Sequence, residues 1–275
     1  MVPELPEVET IARGLQQRIA GERVESVWIG PKPQPLKSPA RAMIRALRGS
    51  RIEAVRRVGK HIVFDIEHAA EGGRATQAQW IVHLGMTGKL LLVEPAEPRA
   101  RHTHAVLRLG SGRELRFVDP RRFGRLRVLR GAPFRAPGQE PLDLGFESFA
   151  ALFHRPKAPI KSALLNQGLL RGMGNIYADE SLFRAGIRPR RRAHSLTRAE
   201  LRRLYDAIQQ VLKEAIAAGG SSISDYVDSD GAEGMFQFEH RVYGREGEAC
   251  VACRAPVKRV VISGRSAHYC PRCQR

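Results

Sequence analysis

Cysteine is missing from the first 249 of the 275 residues, so no disulfide framework staples the bulk of the chain. Long hydrophobic runs are missing as well. None approaches the roughly 18 apolar residues of a membrane span, and no charged-then-apolar leader opens the sequence. The expectation is a cytoplasmic protein with no membrane partner. Acidic residues are scarce: 28 Asp and Glu face 46 Lys and Arg, a formal net charge of +18. Such an excess attracts polyanions, of which nucleic acid is the commonest in a cell; a solvated surface or anionic lipid is the plainer alternative. Hydrophobic residues make up 43%, too many for a disordered basic tail, and the length suits about two domains.

What is present sorts by period. Val8, Ile11, Ala12, Leu15 and Ile19 recur at helical spacing within 6–20, and Gly21 is a plausible stop. The period then changes to short, often alternating runs at 24–29, 52–58, 62–66, 80–84, 89–93, 105–109, 114–118 and 125–129. About eight strands separated by turn residues predict a β-sandwich or barrel. Residues 131–141 hold two glycines and three prolines, which places a linker there. Helical spacing returns at 160–166, 175–185 and 197–218. In the last of these, Thr197 and Glu200 make a capping box, Leu201, Leu204, Ile208, Leu212 and Ile216 a stripe, and Gly219-Gly220 the end. Residues 221–234 are rich in Gly, Ser and Asp and read as a mobile loop.

The four cysteines form two Cys-x2-Cys pairs, Cys250/Cys253 and Cys270/Cys273, sixteen residues apart. Two thiolates from each pair close a tetrahedral, structural zinc site with no open position. Two disulfides or a redox pair are the alternatives. The residues between them, 257–262 and 267–269, read as two strands around a tip at 263–266 that holds Arg265. So small a hairpin has little core of its own, and a metal ion would rigidify it.

The opening Pro3-Glu4-Leu5-Pro6-Glu7-Val8-Glu9-Thr10 crowds two prolines and three glutamates into one helix start. Helix capping explains Pro6, Glu7 and Glu9 but not Pro3-Glu4. Further motifs follow: Gly59-Lys60, His83-Leu84-Gly85-Met86-Thr87-Gly88, Asp119-Pro120-Arg121-Arg122-Phe123-Gly124, a run from Gly172 to Ser181, Ser229-Asp230-Gly231 and Val242-Tyr243-Gly244-Arg245. In this order, and with the cysteine hairpin, they resemble the bacterial formamidopyrimidine-DNA glycosylases of the helix–two-turn–helix superfamily from end to end.

The resemblance implies an α+β multidomain protein: an N-terminal helix with a two-layer β-sandwich (1–135), a linker (136–141), a helix–two-turn–helix domain with a lesion-capping loop at 221–234 (142–235) and a zinc β-hairpin (236–275). It implies a bifunctional enzyme that flips and excises oxidised purines from damaged double-stranded DNA, then cuts the abasic site. Pro3 would be the nucleophile and Glu4 the general acid; Lys60 would assist the first elimination and Arg265 the second. Met86 and Phe123 would be intercalating wedges, with Arg121 reading the orphaned base. By residue type alone, Met and Phe are more often core. His102, Lys157, Lys161, Asn175 and Tyr243 would contact DNA, and some of the eight arginines of 184–203 would track the backbone. Asn175 would serve equally as a helix cap. Glu7, Ser229 and Gly231 would line the lesion pocket. One structural zinc, a monomer and a bacterial, nucleoid-associated location complete the expectation.

One position departs from the pattern. The family places proline directly after the initiator methionine, whereas Val2 intervenes here, so the Pro3 nitrogen as written is a tertiary amide. Initiation at Val2 from a valine-type codon read as methionine would cure this, as would trimming of Met1 and Val2. A permanently attached Val2 would instead leave a damage-binding protein without catalysis. An endonuclease VIII-like enzyme for oxidised pyrimidines is the alternative within the superfamily.

Overall fold

The computed structural model describes residues 2–68, 76–223 and 226–275. Met1 and two residues of the expected capping loop, 224 and 225, lie outside the described residues. The chain divides into two compact units, one of 1–135 with 219–234, the other of 136–218 with 235–275.

The first unit is a helix on a two-layer sandwich. Helix α1 (Leu5–Ile19) buries Val8, Ile11, Ala12, Leu15 and Ile19, the expected stripe. Among the described residues eight strands follow: β1 (Val24–Ile29), β2 (Arg51–Val58), β3 (His61–His68), β4 (Thr76–His83), β5 (Lys89–Val93), β6 (Thr103–Leu109), β7 (Glu114–Val118) and β8 (Arg125–Arg130). They form two four-stranded antiparallel sheets in the orders β1-β6-β7-β5 and β2-β3-β4-β8. Both sheets and α1 share one core, centred on Phe64, Trp80, Leu107 and Phe117. A second helix, α2 (Ala40–Leu47), was not expected from the sequence; it buries Met43, Ala46 and Leu47, a spacing of three and four that the surrounding prolines masked.

The second unit holds α3 (Phe146–Phe153), α4 (Ile160–Leu164), α5 (Asn175–Ala185), α6 (Arg198–Ala217) and a hairpin of β9 (Lys258–Ile262) and β10 (Arg265–Tyr269). Helix α6 carries the expected capping box, with the Thr197 hydroxyl accepting the Glu200 N–H and the Glu200 carboxylate accepting the Thr197 N–H. Helix α3 was also unforeseen, although Phe146, Phe149, Ala150 and Phe153 repeat at three, four and seven.

Two expectations change. Residues 136–141 are not a free linker, because Gln139 bonds through its backbone to Leu169 and Arg171, while Arg171 also pairs with Glu140 at 3.0 Å and donates to the Ala136 carbonyl. The loop 219–234 groups with the sandwich rather than with the helices that precede it. The Leu92 N–H donates to the Ser229 carbonyl at 2.9 Å, extending the edge of β5. Among the described residues, no helix is long and apolar enough to cross a membrane.

Candidate active-site elements and a zinc hairpin

Pro3 is buried just ahead of α1, and Glu4 is the helix N-cap. The Glu4 side chain accepts the Glu7 N–H while Glu7 Oε2 accepts the Glu4 N–H at 2.8 Å. Two carboxylates thus satisfy the helix start, where the dipole favours negative charge. The second oxygen of Glu7 accepts the Ser221 N–H at 2.8 Å, and the Tyr226 hydroxyl donates to the Glu7 carbonyl at 3.3 Å. A Cβ on Gly220 would come within 2.9 Å of that carboxylate. Glu7 therefore anchors the loop to α1.

Ser229 is withdrawn as well. Its hydroxyl accepts from Arg18 and its carbonyl from Leu92, leaving it 1% exposed. Arg18 also pairs with Asp230, and Asp228 Oδ1 accepts the N–H groups of Asp230 and Ala232. Of the three expected pocket residues only Gly231, at φ 81°, is exposed.

Lys60 follows Gly59 (φ 59°) in the turn between β2 and β3 and is half-buried. The sequence reading missed what fixes this turn. Arg57 donates to the Gly59 carbonyl at 3.2 Å and pairs with Glu9 of α1 at 2.7 Å, with its side chain only 7% exposed. Glu9 and Arg57 hold the Lys60 turn against the helix that begins with Pro3-Glu4.

The two motifs expected to carry the wedges meet backbone to backbone. Gly85 (φ 69°) touches the Phe123–Gly124 peptide so closely that a Cβ would lie 2.6 Å from its atoms. Glycine is required there on both counts. Asp119, fully buried, accepts the Thr87 hydroxyl at 2.6 Å with one oxygen and the Gly124 N–H at 2.8 Å with the other. Its carboxylate locks the Met86 turn to the Phe123 turn. Phe123 is 51% exposed with the Arg121 guanidinium stacked 4.8 Å above its ring; Met86 is half-buried. His102 is exposed, and its carbonyl accepts the Asp119 N–H.

His83, at the end of β4, accepts the Gly85 N–H on Nδ1 at 3.0 Å and packs 4.9 Å from His61. Burial, then the charges of His61, Arg125 and Lys60, brings His83 down to about 4, so it is a neutral acceptor at ordinary pH.

In the second unit Lys157 is exposed. Asn175 is the first residue of α5, not its cap, which is Gly174, and its Nδ2 donates to the Ser266 hydroxyl at 3.1 Å. Lys161 is fully buried: its ammonium donates to Asp179 at 2.6 Å and to the Ser266 carbonyl. That overturns its expected phosphate contact, since no face of it reaches solvent. Tyr243 is half-buried between the rings of His240 and His268. Arg265 is exposed as the first residue of β10, one step past the tip of Ser263 and Gly264. Of the arginines of 184–203, Arg184 and Arg191 are half-buried in ion pairs with Glu214 and Glu200, while the exposed Arg188 and Arg203 donate to the Pro271 and Ala185 carbonyls.

Nothing in the sequence pattern hinted at Asp179 and Glu180 as a pair. Asp179 accepts the His268 N–H at 2.9 Å, and Glu180 Oε1 accepts the N–H groups of Arg241, Val242 and Tyr243 at 3.1, 2.9 and 2.9 Å. Consecutive buried carboxylates on α5 therefore hold the β-hairpin and the 241–243 turn. Burial pushes the Glu180 carboxyl up, and these three N–H groups oppose that.

The four cysteine sulfurs lie within 4.8 Å of one another, with Cys253–Cys270 at 3.4 Å and Cys250–Cys273 at 3.9 Å. Zn–S bonds of about 2.3 Å predict tetrahedral edges of about 3.8 Å, so the donors fit one zinc ion. Burial pushes the Cys270 and Cys273 thiols up, while a backbone hydrogen bond from Ala255 brings Cys253 down to about 7. Four adjacent sulfurs ionise together only around a cation, which is what a structural zinc supplies.

Comparison with known proteins agrees with this anatomy. Residues 2–126 match the formamidopyrimidine-DNA glycosylase N-terminal domain, 137–227 the formamidopyrimidine-DNA glycosylase H2TH domain and 247–275 the zinc finger found in FPG and IleRS. A formamidopyrimidine-DNA glycosylase of Solibacter usitatus is 48% identical over 280 residues, covering 100% of both chains. The crystal structure of the MutM (FPG) protein from Thermus thermophilus is 44% identical with a TM-score of 0.84, covering 99% of this chain and 98% of that one. A Lactococcus lactis FPG in complex with a Fapy-dG containing DNA is 31% identical with a TM-score of 0.86, covering 99% and 100%. With three successive domain matches and near half identity over its whole length, this chain belongs to the formamidopyrimidine-DNA glycosylase family.

Proposed function

We propose that the protein excises oxidised purines from duplex DNA and then cleaves the strand at the resulting abasic site. The observation that carries this reading is Pro3 joined to the buried carboxylate of Glu4 at the head of α1, on the same unit as Lys60 and the exposed Arg121–Phe123 stack. A terminal secondary amine has a pKa near ~8, against ~10.4 for a lysine, so roughly a tenth is nucleophilic at pH 7. Pro3 nitrogen attacks the sugar C1′ and the glycosidic bond breaks, the base leaving with the electron pair. Glu4, the next residue in the chain, protonates the opening sugar oxygen. The resulting iminium acidifies the C2′ proton; its loss breaks the C3′–O bond, and loss of the C4′ proton then breaks the C5′–O bond. Lys60 assists the first elimination and Arg265 the second.

Access to C1′ requires the nucleotide to leave the stack. Phe123 and Met86 fill the gap, and the Arg121 fork reads the partner base. Lys157, Asn175, His102 and Tyr243 contact the DNA backbone, and Gly231 is the pocket residue left exposed for the extruded base. The relative bound to Fapy-dG containing DNA favours purine over pyrimidine lesions. The protein works as a monomer in the bacterial cytoplasm, on the nucleoid. The zinc ion would hold the hairpin that carries Arg265 and would itself take no part in bond making.

This chemistry needs Pro3 as the free terminus, so Val2 must be absent from the mature protein. Borohydride trapping of protein made from its natural gene, on a duplex with 8-oxoguanine opposite cytosine, should give a covalent adduct whose tryptic peptide begins at Pro3. Tight, damage-selective binding without an adduct would mean that Val2 remains and the protein only binds.

A further inference from the structure

The turn that carries Arg265 is gripped from beneath. Ser263 and Gly264 link β9 to β10 with φ of 50° and 75°, the left-handed pair that a type I′ hairpin turn requires. Side chains of α4 and α5 then reach the tip and the start of β10. Ser162 Oγ lies 2.9 Å from Ser263 Oγ, Lys161 donates to the Ser266 carbonyl, and Asn175 donates to the Ser266 hydroxyl at 3.1 Å. Asp179 accepts the His268 N–H at 2.9 Å and binds Lys161 at 2.6 Å, with both Asp179 and Lys161 fully buried. A buried ion pair is a weak way to gain stability, because removing two charges from water costs about what their attraction returns. Its strength is directional: it fixes where Ser266, the neighbour of Arg265, can sit.

We propose that Lys161 is a positioning residue for the second elimination, acting through Asp179 and the Ser266 carbonyl to hold Arg265 at the C5′–O bond, with Ser162 as a second tether on the tip. This inference rests on the reading of Arg265 as the group that assists that step. In it the C4′ proton is removed, the C5′–O bond breaks, and the phosphate leaves with the electron pair. Misplacing a catalytic group by about 1 Å costs up to about 100-fold in rate.

The test uses the full-length, zinc-loaded protein and a 5′-labelled duplex with a single abasic site. Each product is counted as the unsaturated aldehyde left by the first elimination or the 3′-phosphate left by the second. Lys161→Met is expected to slow the second elimination by about 10- to 100-fold, while borohydride trapping and the first elimination keep the wild-type rate. Ser162→Ala, a change at an exposed hydroxyl pair, should shift the product ratio the same way by less, and it carries the test alone if the Lys161 variant does not fold. Arg265→Ala marks the limit of the shift. A wild-type product ratio in both variants overturns the proposal, and so does an equal fall in trapping and both eliminations, which would mark a purely structural role. If the wild-type protein leaves no 3′-phosphate at all, the reading of Arg265 fails instead.

Discussion

The sandwich and the zinc hairpin each present a cation on a tight turn: Lys60 after Gly59, Arg265 after Gly264. They support it by opposite means. Behind Lys60 stands a core of two sheets and α1, including Ile62, Phe64, Trp80 and Phe117, and Arg57 and Glu9 tie the turn to it. Behind Arg265 the apolar cluster comprises Phe183, Val242, Val257 and two of the zinc ligands, Cys250 and Cys270. A few buried side chains cannot offset the entropy of ordering a hairpin, so metal bonds and buried carboxylates supply the rest. Placement of a side chain is bought with area where the chain is long enough, and with charge and metal where it is not.

The comparison breaks first at the metal. Structural zinc sites bind with apparent free energies of about 10–16 kcal/mol, most of which is folding energy. Chelation should therefore unfold the hairpin and leave the sandwich folded. Hydrogen exchange reads this directly: amides of 258–269 should lose protection on chelation while those of β3 and β4 keep theirs. Protected hairpin amides in the metal-free protein would show that Asp179 and Glu180 suffice. In the sandwich the matching stroke is Phe117→Ala. Phe117 is fully buried, and a Cβ on Gly124 would lie 2.4 Å from its ring. Urea titration should show a loss of about 3–5 kcal/mol.

Acid tests both regions at once. His83 in the sandwich and His240 in the other unit are each held down to about 4 by burial. A histidine with a lowered folded value takes up its proton more readily when unfolded. Its contribution is therefore complete above the unfolded value of ~6.5 and is lost as pH falls from there toward 4. Moving from pH 7.5 to pH 5 should cost about 2 kcal/mol per histidine. His83→Gln, which keeps an acceptor for Gly85, should remove its share of that loss in denaturant titrations at the two pH values. An unchanged acid loss in the variant would place the sensitivity elsewhere.

How much of this was legible follows the same division. All eight sandwich strands could be read, because an alternating pattern records burial on one face and Gly or Pro marks the turns. The cysteine spacing recorded the metal site. What the pattern did not carry was polar detail. Glu7, Ser229 and Lys161 have the right chemistry to meet DNA, yet their partners, Ser221, Arg18 and Asp179, lie 214, 211 and 18 residues away in sequence. Periodicity cannot report such pairs. Helices α2 and α3 could have been found from their own spacing, but at eight residues each they gave little pattern beside neighbouring prolines.

The smallest effect makes the contrast sharpest. Arg198 and Glu147 form a two-pronged ion pair on the surface of the second unit, with side chains 68% and 71% exposed. Lys161 and Asp179 form one at 2.6 Å in the same unit, with neither exposed at all. Water and salt screen the first pair, and holding two long side chains in place offsets what attraction remains. Arg198→Ala should leave the unfolding midpoint where it was. Removing one partner of the buried pair strands the other charge, a loss of about 3–5 kcal/mol, so Asp179→Asn should lower the midpoint sharply. Equal shifts in the two variants would mean that burial does not set the worth of charge here, and the account of the hairpin as a charge-supported element would fall with it.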